Sequence, residues 1–378
     1  MEEHYPVAII GGGAAGLFAG AILGKKTIIL EKGKRCGRKL LLTGGGRCNY
    51  THDSTLPELL SHYNGKKSFI RPALYSLPPE KIIKRFKDFG IEPSFDENGK
   101  VFPLHGDSFS ILNALETKCR IKVACEVKAI RKDKLFIIET NQGTITSDYL
   151  ILAAGGNSYP HTGSDGSGYV LAHSLGHKII PPTPALAPLK LSRDLSKAEG
   201  VSLTVTVKID KKEYKGDIVI TKLGISGPLA EDISYMFPTE RDIIISFVDI
   251  NIEKLRRENG KSVVKNMMPL PDRLIRALLG ELSDKKIAEL KKEEESFILN
   301  QLTAMKCTAK AIARGAMSTH GGINVDEVDS KTMESKLISN LYFAGDILDI
   351  DANCGGYSLT WAFATAEVAA NAILRKEY

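Results

Sequence analysis

The chain has 378 residues, of which 43% are hydrophobic, 25% are charged and 7% are aromatic. These proportions are ordinary for a globular protein, and they exclude a disordered, collagen-like or disulfide-framework chain. The formal net charge of +6 is too small over this length to identify a partner, but it is unevenly distributed.

The positive charge is concentrated in one part of the chain. Residues 25–132 hold 22 Lys and Arg against 11 Asp and Glu, whereas residues 321–378 hold 4 against 9. Such an asymmetry is consistent with contact with an anion, either a phosphate-bearing cofactor or a nucleic acid, and also with an ordinary solvated surface.

The sequence shows no sign of export, of a membrane anchor or of a metal centre. The opening Met-Glu-Glu-His lacks the basic segment of a secretory signal, and the apolar run over residues 8–23 is too short to span a bilayer. The six cysteines form no CxxC pair and have no regular spacing, which is typical of reduced thiols. We therefore expect a cytoplasmic protein without a bound metal.

The first predicted elements form a strand–helix–strand unit. Residues 6–10 (PVAII) and 27–30 (TIIL) are apolar runs typical of buried strands, and a helix of small residues separates them. The glycine pattern GxGxxG at Gly11–Gly16 opens this helix. Its glycines permit a tight turn, the approach of a pyrophosphate and close helix packing. Glu31 follows the second strand, where a carboxylate accepts ribose hydroxyls, so the unit predicts dinucleotide binding.

Two later apolar segments are predicted to join the same sheet. Residues 149–154 run into Gly155-Gly156, and residues 341–344 run into Gly345-Asp346. Each segment is typical of a strand that ends in a small-residue turn, which is where ligands bind to open α/β sheets. The dinucleotide-binding domain is therefore predicted to be discontinuous.

Between these segments the pattern changes to that of further domains. Residues 201–209 alternate between apolar and polar side chains, as a half-buried strand does, and residues 216–221 and 242–248 are further strands. The proline-rich residues 181–188 are interpreted as the linker into this β-rich region. The charged residues 251–310 are predicted to be helical.

These elements predict the fold class α/β, with a Rossmann-like dinucleotide-binding domain, an inserted β-rich domain and a small helical subdomain. The first is predicted to comprise residues 1–188 and 320–378, and the third residues 251–310. The β-rich domain, predicted over residues 189–250 and 311–319, is the expected substrate domain.

Beyond the opening glycine pattern, motifs spread over nearly the whole chain resemble one family. They are residues 31–32 (EK), 37–40 (GRKL), 43–49 (TGGGRCN), 101–103 (VFP), 155–164 (GGNSYPHTGS), 223–228 (LGISGP), 332–336 (TMESK), 341–346 (LYFAGD) and 355–357 (GGY). The chain resembles the bacterial flavoproteins sometimes called aminoacetone-oxidase-like, which are oxidoreductases with two dinucleotide-binding domains. The resemblance implies FAD as the cofactor, held in the Rossmann-like domain, and the same three-part architecture.

The resemblance also implies which residues contact FAD. These are Gly11, Gly13, Ala14, Ala15, Gly16, Glu31, Lys32, Arg38, Lys39, Gly44, Gly45, Gly46, Arg47, Cys48, Val127, Ala154, Gly155, Gly345, Asp346, Gly355, Gly356 and Tyr357. One departure from the family pattern is Cys354, which precedes the Gly-Gly-Tyr block where members usually carry a hydroxyl residue.

Three residues are candidates for catalysis, each with a plainer alternative. Arg47 can neutralise negative charge on the reduced flavin, the pyrophosphate or a substrate, or it is a surface arginine on a glycine-rich turn. Cys48 can donate a proton or gate the flavin, or it is a small buried residue. His161, just beyond a predicted strand, can carry protons near neutral pH, or it is a hydrogen-bonded loop residue.

Three functions remain open from the sequence. The first is an FAD-dependent reductase in which NAD(P)H reduces the flavin and a hydride passes to an activated carbon–carbon double bond. The resemblance implies uridine of 23S ribosomal RNA (rRNA) as one substrate for such a reductase, and the basic N-terminal region favours an RNA substrate over a neutral small molecule. The second is a small-molecule flavin enzyme, either an aminoacetone oxidase or an unsaturated steroid-acid reductase. The third is a non-catalytic flavin-carrying protein that binds the ribosome. Because the sequence contains no second complete GxGxxG, NAD(P)H is expected to dock only transiently.

Overall fold

The computed structural model describes residues 3–251, 257 and 261–377. The chain divides into two compact units, one formed by Met1–Thr183 with Met317–Tyr378 and the other by Pro184–Ala316. Within the described residues, no helix combines the length and the apolar character that a membrane crossing requires.

The strands of the described residues are numbered in chain order. They are β1 (Glu3–Ile10), β2 (Thr27–Leu30), β3 (Thr51–His52), β4 (Tyr63–Asn64), β5 (Pro93–Phe95), β6 (Lys100–Pro103), β7 (Arg120–Lys122), β8 (Val127–Lys132), β9 (Phe136–Thr140), β10 (Gly143–Leu152), β11 (Ile179–Ala185), β12 (Leu189–Leu191), β13 (Ser202–Ile209), β14 (Lys212–Thr221), β15 (Gly224–Ser226), β16 (Arg241–Ser246), β17 (Met305–Ala311), β18 (Ser318–Ile323), β19 (Leu341–Phe343) and β20 (Asp351–Ala352).

The α-helices are numbered in the same way, and short 3₁₀ turns are left without numbers. They are α1 (Ala14–Leu23), α2 (Leu56–Ser61), α3 (Lys67–Ser76), α4 (Pro79–Asp88), α5 (Ser108–Glu116), α6 (Ser167–Ser174), α7 (Pro228–Ile233), α8 (Val264–Met267), α9 (Asp272–Leu279), α10 (Lys292–Thr303) and α11 (Tyr357–Glu377).

The first unit is built on a mostly parallel sheet with the strand order β7-β2-β1-β10-β9-β8. Strand β1 runs parallel to β2 and to β10, and the last four residues of β1 and all of β2 are buried. Parallel sheets are usually covered on both faces, so their strands need continuous apolar runs such as these. The predicted strands at residues 6–10 and 27–30 and the predicted α/β fold class are confirmed.

Strand β10 joins distant parts of the chain because the two halves of one edge pair with different strands. Residues 143–147 are antiparallel to β9, whereas residues 150–152 run parallel to residues 341–343 of β19. The other edge of β10 pairs with β1. The chain therefore returns to its first sheet near the C-terminus, at the segment where the sequence predicts a returning strand.

Helix α1 packs closely on its neighbours because small residues line it. A Cβ on Gly16 would lie 1.9 Å from the carbonyl oxygen of Gly11, so only glycine fits where the helix leaves the sheet. Two residues further along α1, the ring of Phe18 lies 4.9 Å from the ring of Phe363 on α11. This packing holds the N-terminus of α1 against the carboxyl ends of the central strands.

The second unit is built on a closed antiparallel barrel with the strand order β12-β15-β14-β13-β16-β17. In β13, Val205, Val207 and Ile209 are buried while Ser202, Thr204 and Lys208 are exposed, so the predicted half-buried strand is confirmed. Helices α9 and α10 contribute to the same hydrophobic core as the barrel, through residues such as Leu274, Ile275, Leu278, Ile298 and Leu302.

The charged segment 251–310 differs in part from the helical prediction. Residues 252–256 and 258–260 lie outside the described residues. The segment contains α8, α9 and α10, but its last six residues belong to β17, which pairs with β12 and β16. Burial along β17 alternates, with lysines exposed between buried apolar residues, and this short period-two pattern marks a strand. The three-domain division with a separate helical subdomain stays a prediction.

The proline-rich segment also differs from the sequence interpretation. Residues 179–185, at the start of the segment interpreted as a linker, form strand β11, which pairs with β18 in a two-stranded sheet. Proline lacks an N–H group and is tolerated in strands whose unbonded edge needs no donor, as in a two-stranded sheet. Strand β11 therefore contains the point at which the chain passes from the first unit, which ends at Thr183, to the second, which begins at Pro184.

Candidate cofactor-binding and active site

The glycine turn at Gly11–Gly16 lies between the carboxyl ends of β1, β2 and β10. Gly11 has a φ of +106°, and a Cβ there would lie 2.4 Å from the carbonyl oxygen of Ala153. Its N–H donates to the carbonyl oxygen of Leu30 at 2.9 Å. By contrast, a Cβ on Gly13 would meet no described atom within 4 Å. The backbone at the N-terminus of α1 is therefore open to an approaching phosphate, with Ala14 and Ala15 in the first turn.

Glu31 is tied to this turn by backbone hydrogen bonds. Its Oε2 accepts from the N–H of Gly12 at 2.8 Å and its Oε1 from the N–H of Gly33 at 2.6 Å, and the residue is 9% exposed. An ionised carboxylate has about four acceptor positions, so each oxygen can accept one more hydrogen bond. The residue predicted to bind ribose therefore also fixes the two loops beside it.

Val127 lies at the same end of the sheet as Glu31. The N–H of Cys125 donates to the carbonyl oxygen of Glu31 at 2.9 Å, and the N–H of Ala124 donates to that of Gly33 at 2.8 Å. These bonds hold the segment before β8 against the end of β2, and the half-buried Val127 is the first residue of β8. The structure therefore places two of the residues predicted to contact FAD, Glu31 and Val127, near each other.

The carboxyl end of β19 also lies at the glycine turn. A Cβ on Gly345 would lie 3.0 Å from the Cβ of Ala15, which places the turn after β19 beside the start of α1. The next residue, Asp346, forms an ion pair with Lys39, whose Nζ lies 3.1 Å from the Asp346 Oδ2. Lys39 also donates to the hydroxyl of Ser158 at 2.8 Å. One lysine thus connects two strand-end loops.

Ala154 and Gly155 continue β10 into the second of these loops. Both residues are half-buried, and a Cβ on Gly11 would lie 2.9 Å from the Cα of Ala154. The structure therefore places the ends of β1, β10 and β19 together, as the sequence predicts for a ligand site at one edge of the sheet.

Two of the predicted cofactor cations contact protein groups on the loop that precedes α6. The Nζ of Lys32 lies 2.6 Å from the Oδ1 of Asp165 and 2.9 Å from the hydroxyl of Ser167. The guanidinium of Arg38 donates to the carbonyl oxygen of His161. Both side chains therefore fasten this loop to the segment after β2, and phosphate binding by them stays a prediction.

His161 itself is exposed on this loop. Its ring meets the ring of Tyr159 edge to face, with 5.7 Å between the centroids. The backbone of His161 is held by Arg38, while the imidazole is on the surface. This exposed position is as compatible with a loop residue that has no catalytic role as it is with a residue that carries protons.

The glycine loop before Asn49 presents Arg47 and encloses Cys48. Gly44, Gly45 and Gly46 all have positive φ angles, and the Arg47 guanidinium is exposed and lies 4.4 Å from the centre of the Phe102 ring. Cys48 is fully buried, and burial raises the pKa of its thiol to about 12. The thiol therefore carries its proton near pH 7, and its complete burial favours the structural alternative for this residue.

The same loop lies against the N-terminus of α11. A Cβ on Gly356 would lie 2.8 Å from the side-chain oxygen of Asn49, and the hydroxyls of Thr51 and Thr360 are 2.8 Å apart. Gly355 and Gly356 both have positive φ angles and directly precede α11. Backbone N–H groups and the positive end of a helix dipole therefore face the region of the glycine loop.

A stack of aromatic rings that the sequence analysis missed surrounds Tyr357. The ring of His62 lies 4.2 Å from that of Tyr357 at an angle of 10°, and the ring of His52 lies 5.0 Å away at 23°. The hydroxyl of Tyr63 donates to the Tyr357 carbonyl oxygen at 2.7 Å. Burial, followed by the nearby His52, lowers the pKa of His62. The three stacked rings come from separate elements, so no local pattern predicts the cluster.

A second group missed by the sequence analysis is the pair of His320 and Asp351. The Nδ1 of His320 lies 2.6 Å from the Oδ1 of Asp351, and the amide of Asn64 donates to the other carboxylate oxygen at 2.9 Å. The hydrogen bond with Asp351 is the main cause that raises the pKa of His320. Nothing in the sequence near His320 indicates this partner.

Taken together, the parallel sheet, the glycine turn and the acid after the second strand define a dinucleotide-binding protein of the Rossmann type. The family described as "HI0933-like protein Rossmann domain" matches residues 5–372. The chain belongs to this HI0933-like family.

Relatives match the chain over its whole length. It is 31% identical over 405 residues to the ribosomal RNA dihydrouridine synthase of Haemophilus influenzae, covering 100% of both chains. It is 28% identical over 404 residues to the 3-dehydro-bile acid delta(4,6)-reductase of Clostridium scindens, covering 97% of this chain and 98% of the relative. A solved structure, 3-ketosteroid delta1-dehydrogenase from Sterolibacterium denitrificans, has a TM-score of 0.54 at 13% identity, with 99% and 100% coverage, and shows the shared fold.

These matches confirm the predicted resemblance to flavoprotein oxidoreductases. The chain is an enzyme of this class, so the alternative of a non-catalytic flavin carrier is set aside. The described residues also fit FAD, because the backbone at Gly13 is open to a phosphate while Gly11 and Gly16 fit tightly against the protein.

Proposed function

We propose that the protein is an NAD(P)H-dependent reductase that adds hydrogen to the carbon–carbon double bond of uridine in 23S rRNA, in the cytoplasm. The observation that carries this proposal is the full-length match to a ribosomal RNA dihydrouridine synthase at 31% identity. A second enzyme of the same name, from Escherichia coli, is 28% identical over 96% of both chains.

The arrangement of strand ends supports one direction for a bound FAD. The turn at Gly11–Gly16 would hold the pyrophosphate, with Glu31 and Val127 on the adenosine side. Lys39 and Asp346 would contact the groups next to the pyrophosphate. The loop Gly44–Cys48 and the start of α11 would surround the flavin ring. When bound, FAD supplies the hydride that is transferred to the substrate.

Exposed basic side chains support a polyanionic substrate. Arg71 on α3 and Lys81 on α4 are both exposed, and they belong to the strongly basic region 25–132. Cations on neighbouring helices attract phosphate groups and release condensed counterions when RNA binds. Some nearby lysines are already neutralised, as Lys66 is by Asp326 at 2.6 Å, so we assign the RNA contact to the exposed cations without an acidic neighbour at ion-pair distance.

The proposal is tested by mapping dihydrouridine in 23S rRNA with mass spectrometry. A strain that lacks the gene is expected to lose one or more dihydrouridines, and the purified protein with FAD and NADPH is expected to restore them on the isolated rRNA. Anaerobic stopped-flow reduction with NADH and with NADPH identifies the reductant. Persistence of every dihydrouridine in the deletion strain would contradict the assignment.

A second candidate is the reduction of an unsaturated steroid acid, favoured by the match to the bile acid delta(4,6)-reductase. Both relatives' names denote hydrogen addition to a carbon–carbon double bond, so the chemistry is shared and the acceptor differs. Incubation of the reduced protein with a 4,6-unsaturated 3-oxo bile acid separates the two. An aminoacetone oxidase would instead release peroxide with aminoacetone at a rate comparable to that of NAD(P)H turnover.

A further inference from the structure

We propose that His320, oriented by Asp351, is the proton donor of this reduction. The inference rests on the proposed function and goes beyond it, because it assigns the acid that completes the addition of hydrogen across the double bond. Neither residue belongs to the cofactor contacts that the sequence motifs imply.

The geometry fixes the imidazole in one orientation. His320 lies in β18, Asp351 in β20 and Asn64 in β4, and Asp351 and Asn64 are register partners in a two-stranded sheet. The Asp351 side chain is 3% exposed, and both of its oxygens are engaged, one at 2.6 Å by His320 and one at 2.9 Å by Asn64. A buried carboxylate with both oxygens bonded cannot rotate without losing a partner.

This pairing determines which nitrogen can deliver a proton. Because Nδ1 donates to Asp351, the imidazolium can release its other proton only from Nε2. The His320 side chain is 36% exposed, so it is accessible from outside although its partner is buried. A buried acid that orients an accessible imidazole is the arrangement that general acid catalysis requires.

The position of β18 connects this pair to the segments assigned to the flavin. The N–H of Asn157, in the loop after Gly155, donates to the hydroxyl of Thr319 at 2.8 Å. On the other side, the N–H of Asn353 donates to the carbonyl oxygen of His62 at 2.9 Å, and His62 stacks on Tyr357. His320 therefore directly follows the residue that contacts the loop after β10, and its partner Asp351 lies two residues before the residue that contacts His62.

The local charges favour the protonated imidazole. The hydrogen bond with Asp351 is the main cause that raises the pKa of His320 above the ordinary value; burial opposes it, and the charges of Asp351 and Asp349 raise the pKa further. Burial raises the pKa of Asp349 itself. Since the folded-state pKa of His320 is raised, the acid form persists to higher pH than in a free histidine, and proton delivery declines as the pH rises through this value.

The step balances with NAD(P)H as the reductant. One carbon of the double bond receives the hydride, which carries two electrons, and the other carbon takes the Nε2 proton of His320. The neutral imidazole then regains a proton from solvent, and NAD(P)⁺ is released. Cys48 is a poorer donor, because its thiol is fully buried and its pKa is raised to about 12.

The kinetic test measures two half-reactions separately: reduction of the flavin by NADPH, and its reoxidation by the substrate. The variants are H320Q and D351N. The control is H173Q, which alters an exposed histidine on α6. In H320Q, FAD content and anaerobic reduction by NADPH should equal wild type. Reoxidation of the reduced protein by 23S rRNA from the deletion strain should fall by about 100-fold or more and lose the wild-type decline at high pH. H173Q should behave as wild type, and thermal melts check that D351N folds.

A second readout does not depend on turnover. In protein labelled with ¹⁵N-histidine, the His320 resonance, assigned with H320Q, should titrate above the ordinary histidine pKa and shift down in D351N. The donor role would be overturned if H320Q kept the wild-type rate and pH profile of flavin reoxidation by rRNA, or if the pKa of His320 lay at or below the ordinary value. Neither result would contradict the proposed function. Wild-type protein that NADPH reduces but that transfers hydride neither to the rRNA nor to the bile acid would overturn the proposed function, and the donor role with it.

Discussion

Glu31 is a residue with two tasks, one in the fold and one in the cofactor site. Its carboxylate oxygens accept the backbone N–H groups of Gly12 and Gly33. These bonds hold the glycine turn and the segment after β2 in place before any cofactor binds. A change at this position should therefore alter the stability of the apoprotein as well as its affinity for FAD.

We expect Glu31→Gln to destabilise the apoprotein by about 1–3 kcal/mol, because the amide group would face a backbone N–H and leave a buried donor unpaired. The affinity for FAD should fall in the same variant. Urea denaturation of the apoprotein and fluorescence titration with FAD measure the two effects. The control is Glu139→Gln on β9, which removes a half-exposed carboxylate paired with Arg131 on β8. It should change the stability by less than about 1 kcal/mol.

The cysteines differ strongly in expected reactivity. Burial raises the pKa of Cys48 to about 12, so its thiol stays protonated and weakly nucleophilic at pH 8, whereas Cys354 is exposed. Iodoacetamide at pH 8 should modify Cys354 in the native protein and reach Cys48 only after unfolding in urea. Peptide mass spectrometry locates the label, and Cys354→Ser should remove the native-state labelling at that site. Rapid modification of native Cys48 would argue for a catalytic thiol.

At the scale of elements, the turn between β1 and α1 separates the demands of folding from those of binding. A Cβ on Gly16 would lie 1.9 Å from a backbone oxygen, whereas a Cβ on Gly13 would meet no described atom within 4 Å. Within one motif, the fold therefore requires Gly16, whereas the small size of Gly13 matters only for binding a ligand.

Gly13→Ala should leave the melting temperature of the apoprotein nearly unchanged and reduce FAD binding at least tenfold, because the methyl group would occupy the path of the pyrophosphate. Gly16→Ala should instead lower the melting temperature of the apoprotein, because the helix must move off the sheet. Circular dichroism melts and the flavin content after purification distinguish the two variants. Full FAD affinity in Gly13→Ala would place the pyrophosphate elsewhere.

Some elements could be predicted from the sequence and others could not, for local reasons. Residues 27–30 are predicted with their observed bounds because a strand covered on both faces is apolar without interruption. Strand β17 was missed because lysines alternate with its apolar residues and the preceding region is helical and charged. In β11, the prolines indicated a linker, but pairing with β18 stabilises an extended chain that proline tolerates.

For the molecule as a whole, the excess of basic residues in the region 25–132 leads to a prediction about RNA binding. Replacing both Arg71 and Lys81 with Ala should weaken binding of 23S rRNA fragments about tenfold and reduce the salt dependence of log K by about 1.5. Fluorescence anisotropy across a KCl series measures both quantities. The control removes the same charge from the β13–β14 hairpin (Lys211→Ala with Lys212→Ala), whose lysines are exposed. Equal weakening in the control would show that only net charge matters.

The whole-molecule scale also explains which part of the site the sequence could not predict. The contacts at Gly11–Gly16 are local, and their spacing alone indicates a phosphate site. Asn64 and His320 instead meet on Asp351 from segments 287 and 31 residues away. Such a triad exists only after the chain has folded, and its side-chain types are common enough that no spacing marks them.

The divided edge of β10 has a consequence for how the protein is made. Half of that edge pairs with β9 as soon as the hairpin has emerged during synthesis, but the other half must wait for residues 341–343. Until then the nascent chain exposes unpaired backbone groups beside its glycine turn. We therefore expect cofactor loading to be a late, post-translational event, and chains truncated before β19 to aggregate rather than accumulate as flavin-binding fragments.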